Sequence, residues 1–190
     1  MKKTLLLFIL SIISLSLFSQ VEEPKDNPRG EGFGAIMINF RNLDNKLALY
    51  TGGGGGFVVK DFRIGAFFNG ISNSFSKSDS IYTNYKLGCA QGGLWFGYPF
   101  FKKHALHGLA EMKFSLGNTK LINTNFQQTD TKIFWGFNPS LAIEYDIIDI
   151  LKVAIGVEYQ YSYFPKPPDL YPASAFSSPG VFVSIKLGSF

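Results

Sequence analysis

From Gly34 onward the apolar residues recur at every second position, and no stretch sustains a period near 3.6. Successive side chains of a strand point to opposite faces, so this alternation predicts strands with one greasy face and one polar face. Lys152 to Tyr163 is the clearest case. Val153, Ile155, Val157, Tyr159, Tyr161 and Tyr163 share one face, and Ala154, Gly156, Glu158, Gln160 and Ser162 share the other. Between Ile133 and Asp146 the pattern returns, with Trp135, Leu141, Ile143 and Tyr145 opposite Asn138, Ser140, Ala142 and Glu144; only Phe134 and Pro139 fit poorly. In a third segment Leu106, Ala110, Met112, Phe114 and Leu116 oppose His107, Glu111, Lys113 and Ser115.

Extending this pattern gives eight strands, at about 34–42, 46–59, 62–75, 83–99, 105–117, 133–146, 152–164 and 179–190. The connections alternate. Lys60-Asp61, Phe101 to His104 and Ile147 to Leu151 are short, whereas 76–82, 118–132 and 165–178 are long and polar or proline-rich; the first loop, 43–45, is shorter than this scheme leads one to expect. Short turns on one rim and long loops on the other are the outer-membrane arrangement. In hydrocarbon every backbone N–H and C=O must find a protein partner, so strands cross only if the sheet closes and leaves no edge. The expected fold is therefore all-β: an eight-stranded antiparallel up-and-down transmembrane β-barrel. A soluble barrel of the lipocalin kind would need a charged outer face, but the polar faces here are rich in Gly, Ala, Ser and Asn and carry only scattered charges, which suits a narrow interior.

Ahead of the strands, Lys2 and Lys3 precede an uncharged apolar run from Leu5 to Phe18, with Ser16 and Ser19 before a cleavage point near Gln20. This reads as a secretory signal peptide, giving the division 1–19 signal peptide, 20–33 short N-terminal segment and 34–190 barrel. No cysteine stands at the cleavage point to take a lipid. Losing Lys2 and Lys3 lowers the formal charge from +4 to +2, and no nucleic-acid signal survives. The single Cys89 has no partner for a disulfide or a cysteine metal site. The aromatics, 20 Phe and 9 Tyr, sit largely in the alternating segments, as interfacial girdles require.

The run Gly52 to Gly56 lacks the following helix and the Gly-Lys-Ser/Thr ending of a phosphate loop; within a strand, glycine marks sharp bending or close approach. In a narrow barrel it makes room for large inward groups such as Arg63, Phe67 or Trp95. The phase of the fourth strand is ambiguous at Gln91-Gly92-Gly93, where a bulge is expected. The ending Val181-Phe182-Val183-Ser184-Ile185-Lys186-Leu187-Gly188-Ser189-Phe190 resembles the C-terminal strand of outer-membrane barrels that the barrel-assembly machinery reads. This resemblance implies Phe190 as an assembly signal. Phe190 lies off the parity of Val181, Val183, Ile185 and Leu187, however, and a bulge at Gly188 would be needed to bring it onto their face.

Across nearly the whole mature chain, with Leu49-Tyr50-Thr51 leading into the glycine run and Gly92-Gly93-Leu94-Trp95-Phe96-Gly97-Tyr98 later, the sequence resembles small eight-stranded barrels of the OmpA/OmpX type and other glycine-rich outer-membrane β-barrels. The resemblance implies residence in the outer membrane of a Gram-negative cell and contact with its lipids. It implies a monomer and carries over no catalytic residue and no cofactor.

Candidate chemistry is sparse. His104 and His107 fall beside a short turn, on the periplasmic rim, away from the outer leaflet where a lipid A-modifying enzyme meets its substrate, and they are expected to be solvated. Three apart in a strand, they face opposite sides and make a poor metal pair. Arg41, Arg63, Glu111, Lys113, Glu144 and Glu158 are the expected charged network of the interior. The favoured function is a structural or surface-interaction barrel presenting loops 118–132 and 165–178 to an extracellular partner, with no enzymatic activity. A narrow small-solute channel is the alternative, and a lipid A-modifying enzyme the third reading.

Overall fold

The structure, a computed structural model, describes residues 31–73, 75–79, 83–101, 104–123, 129–166, 168 and 171–190. The expected signal peptide and most of the 20–33 segment lie outside the described residues. Nine strand segments follow in order: β1 (Glu31–Leu43), β2 (Lys46–Val59), β3 (Phe62–Ile71), β4 (Phe75–Asp79), β5 (Thr83–Phe100), β6 (Leu106–Asn123), β7 (Thr129–Ile148), β8 (Leu151–Tyr163) and β9 (Ser178–Gly188). A single 3-10 turn, Ala173–Phe176, precedes β9.

Apart from β3 and β4, which do not pair with one another, each strand pairs antiparallel with its sequence neighbour, and β1 pairs with β9 from Phe33↔Gly188 to Arg41↔Gly180, which closes the sheet. The short β4 is not a separate stave. Arg63 to Gly70 of β3 pair directly with Gly97 to Ala90 of β5, and β4 prolongs the β3 line against the upper end of β5, from Phe75↔Leu87 to Asp79↔Thr83. The chain is therefore a closed eight-stranded barrel. At the break between β3 and β4, Asn73 takes over the edge of β2: its Oδ1 accepts from Leu49 N at 2.9 Å and its Nδ2 donates to Leu47 O at 2.9 Å.

Period-two burial settles which face is inside. Outward residues such as Ile36, Phe57, Phe68, Trp135, Leu141 and Ile155 are exposed, while Glu144 and Glu158 are 0% and 4% exposed and face the lumen. A soluble barrel inverts this arrangement. An apolar exterior around a charged interior is stable only where the surroundings are hydrocarbon, because each large exposed aliphatic or aromatic side chain would otherwise cost about 1.5–3 kcal/mol in water.

Several boundaries differ from the sequence expectation. β1 begins at Glu31 rather than Gly34. The expected loop 118–132 is mostly strand, since β6 runs to Asn123 and β7 starts at Thr129. The expected loop 76–82 contains part of β4. No bulge occurs at Gln91-Gly92-Gly93, where both ladders of β5 run in unbroken register. Irregularity falls instead between Asp146 and Ile148, and where β7 carries Pro139: the pairing with β8 passes from Phe137↔Tyr161 to Ser140↔Glu158. Proline has no N–H to give the ladder. The short first loop is a tight turn with Asp44 and Asn45 both at positive φ, 50° and 62°, the geometry that lets two residues join twisted strands.

The glycine run occupies a place where strands nearly touch. A Cβ on Gly52, Gly54 or Gly56 would stand 2.0–2.5 Å from a carbonyl oxygen of β3, and one on Gly53 or Gly55 would stand 2.9 and 2.7 Å from a carbonyl oxygen of β1. Both sides of β2 are thus crowded by backbone. The inward Gly52, Gly54 and Gly56 also leave space across the lumen for Trp95 and Phe67, which are buried with Phe33, Met37 and Val58.

Candidate functional site

The interior is filled by side chains, as eight strands dictate. Toward the long-loop end an apolar cluster closes the mouth, with Leu43, Tyr50, Leu121 and Phe134 from the strands meeting Phe164, just past β8, and Tyr171 and Phe176 from the 165–178 loop. Phe134, ill-placed in the sequence pattern, turns inward here: its ring lies 5.0 Å from that of Phe164. Ser177 Oγ accepts from Ser162 N at 2.9 Å and Ser162 Oγ donates to Phe176 O at 2.9 Å, fastening the loop to β8. Burial and the Asp44 carboxylate push the Tyr171 hydroxyl above its ordinary pKa, so it stays neutral in the plug.

Below the plug lies an amide layer. Gln91 and Gln160 exchange hydrogen bonds at 3.1 and 3.0 Å, Asn138 Nδ2 donates to Gln160 Oε1 at 3.1 Å, and Ser115 Oγ donates to Gln91 Oε1 at 3.1 Å. Alternating donors and acceptors let Gln91, Gln160 and Ser115 satisfy one another, while Asn138 Oδ1 is left without a partner.

All six charged residues singled out in the sequence face the lumen and join one continuous chain of ion pairs. Glu158 Oε1 accepts from Arg41 Nε at 2.7 Å and Asn39 Nδ2 at 2.8 Å, while its Oε2 lies 3.5 Å from Lys113 Nζ. Lys113 Nζ stands 4.0 Å from Glu111, whose Oε1 takes a bond from Lys186 Nζ at 2.9 Å. Lys186 Nζ also donates to Glu144 Oε2 at 2.8 Å, and Arg63 grips the same carboxylate with two bonds of 2.8 and 2.6 Å. His107 Nε2 completes the set, 3.0 Å from Glu144 Oε1. The partners come from β1, β3, β6, β7, β8 and β9, so the network braces the barrel across its width.

Lys186 and His107 were missed as members. His107 is buried rather than solvated, while His104 is exposed as expected. Both signals were present: His107 shares the parity of Glu111, and Lys186 shares that of Phe182 and Ser184, opposite Val183, Ile185 and Leu187. Phe190 keeps the luminal parity of Lys186, so Gly188 does not reset the phase. Its ring stacks on Phe33 at 5.6 Å and lies under Arg63 and Lys152 at 4.9 and 4.8 Å.

Among the described residues one group has metal-ligand spacing: His107, Glu144 and Asp146, with ligand atoms within 4.8 Å of one another. Arg63 and Lys186 already hold Glu144, and Lys152 Nζ lies 2.7 Å from Asp146 Oδ1. A divalent cation would have to enter among three resident positive groups, so these carboxylates serve as counter-ions. Nor is a serine or cysteine hydrogen-bonded to His107, whose partners are the two acids.

No family model matches this sequence, and no curated protein matches it. Solved structures do. Neisserial surface protein A is similar with a TM-score of 0.56 at 13% identity, covering 83% of this chain and 95% of its own. The N-terminal β-barrel domain of Pseudomonas aeruginosa OprF gives 0.48 at 14% identity over 84% and 99% of the two chains, and the attachment invasion locus protein of Yersinia pestis gives 0.47 at 14% over 85% and 99%. The closed ring, the apolar exterior and the braced polar lumen together give this chain the fold of the small eight-stranded outer-membrane β-barrels.

Proposed function

We propose that the protein resides in the outer membrane of a Gram-negative cell as a non-enzymatic barrel with a structural or surface-interaction role, holding its long-loop end to the outside. One observation carries this reading: the lumen is occupied by side chains, with an apolar plug over a bonded amide layer and a braced ion network. A hydrated solute would have to displace all three, which disfavours the channel. What remains available to a partner is the loop rim, where β6 and β7 stay paired beyond the plug as far as Ile122↔Thr129, and Phe176 and Ser177 anchor the end of the 165–178 loop. Outer-membrane lipids surround the barrel in this reading. The barrel-assembly machinery inserts it, with the closing strand β9 as the assembly signal, since Phe190 turns inward onto Phe33 and off that strand's apolar face.

The test is accessibility. An epitope inserted near Gln127 or Ala173 is expected to bind antibody on intact cells, while one at Lys60-Asp61 or Asp149 binds only after permeabilisation; exposed loop tips tolerate such insertions. Labelling of the short turns but not the loops on intact cells would invert the topology and remove the surface role.

A further inference from the structure

The outer wall of the barrel is not uniformly smooth. On β5 the outward positions Ala90 and Gly92 carry little or no side chain, and Phe68 of β3 and Leu116 of β6 stand on either side of Gly92, leaving a groove on the apolar face. A volume of 720 Å³ crosses the wall from Leu94 of β5 past Leu116 and Trp135 to Tyr161 and Tyr163 of β8, and a further 240 Å³ lies past Ala90, Gly92 and Ile133. Gly92 and Leu116 border both volumes.

Beyond the second volume, which ends at Ala90 and Asn118, two exposed lysines stand on the same outward face, Lys86 and Lys120. Gly88 pairs with Lys120 and Lys86 with Ile122, which makes the lysines diagonal neighbours. Among the described residues no carboxylate shares that face: Asp130 has the opposite parity, paired with buried Leu121, and bonds Lys132 at 2.8 Å. Two like charges side by side on a sheet are unfavourable unless an anion lies between them. Lys120 lies four residues beyond Leu116, about 13 Å along the strand, where the outward face mixes Asn118 and Thr131 with Ile122. That is the level of lipid headgroups.

We propose that this groove and the Lys86–Lys120 pair form a binding site for a phosphorylated glycolipid of the outer leaflet, acyl chain in the groove and phosphate between the ammonium groups. Charge and shape select this ligand together: a neutral or zwitterionic lipid would fill the groove but leave the lysine pair uncompensated. The leaflet assignment rests on the sidedness proposed above; the binding chemistry does not.

The experiment uses the mature barrel folded in nonionic detergent and titrated with diphosphorylated lipid A bearing brominated acyl chains. Trp135 lies in the groove and Trp95 is buried in the lumen, so acyl-chain quenching reports the groove. K86Q/K120Q is expected to weaken binding about tenfold or more, since each lysine near an anionic headgroup contributes on the order of one kcal/mol. Lipid A stripped of phosphate should bind parent and variant alike, at the weakened level. A90L, filling the groove, should weaken both lipids, and K60Q at the opposite rim should change neither. Unchanged affinity in K86Q/K120Q overturns the proposal. So does equal affinity for phosphatidylethanolamine or phosphatidylglycerol, or a groove found occupied by a second copy of the chain. Failure of the epitope experiment with this titration intact would remove the leaflet and keep the site.

Discussion

At the scale of single residues, the molecule depends on charges placed where water is scarce. Glu144 carries the clearest case, with bonds from Arg63, Lys186 and His107 converging on one carboxylate that is 0% exposed. A buried pair adds little over a well-packed apolar substitute, yet removing one partner strands the other. Glu144→Gln is therefore expected to lower stability by about 3–5 kcal/mol, read as the urea midpoint of the barrel in lipid vesicles, because Arg63 loses its counter-charge and Lys186 keeps only Glu111. An unchanged midpoint would mean that water already screens the network. The facing of these groups was legible from parity alone, and Arg41, Arg63, Glu111, Lys113, Glu144 and Glu158 could be picked out on that basis. Their pairing was not. Lys186 reaches Glu111 across 75 positions and Glu144 across 42, and such contacts depend on strand register and barrel width, which no local pattern contains.

Strands were readable for as long as they separated two solvents. Within the apolar band each strand divides lipid from lumen, so greasy and polar residues must alternate. Beyond it the contrast vanishes: Asn118, Thr119 and Lys120 continue β6 with polar residues on both faces, and the hairpin therefore looked like a loop. Proline misled less, because Pro139 sits in β7 with only a local loss of pairing to β8. The glycine run was legible as a place of close approach, and the structure identifies the approaching atoms as backbone oxygens. From this follows a contrast between two glycines on adjacent strands. A Cβ on Gly54 would stand 2.5 Å from Ala66 O, whereas one on Gly34 meets nothing nearer than 4.0 Å. Gly54→Ala must push β2 from β3 and is expected to cost about 1–3 kcal/mol. Gly34→Ala should stay within about 0.5 kcal/mol. Comparing their urea midpoints with that of the parent checks the pair, and equal effects would show that the strands part freely.

For the whole molecule, closure is the property on which the rest depends. The β1–β9 seam joins the two ends of the described chain, and the ion pairs cross from one wall to another: Arg63 on β3 to Glu144 on β7, Arg41 on β1 to Glu158 on β8, and Lys186 on β9 to Glu111 on β6. None of these contacts is local, so none forms until the ring does, and the finished barrel should open as a unit. The same struts occupy the path a solute would take. Entry of an ion between Arg63 and Glu144 would require separating charges 2.6 Å apart, and Phe134, Phe164 and Phe176 cover the route from the loop side. The purified barrel in a planar bilayer is accordingly expected to show no steady unitary conductance, and on gels to migrate differently before and after boiling, since the closed ladder resists detergent until heated. The two readouts separate the possibilities: a mobility shift with a silent bilayer is the expected pair. A shift accompanied by stable current steps would mean that the plug and the struts yield together, which would restore the channel reading and cost the loop-rim function its principal support.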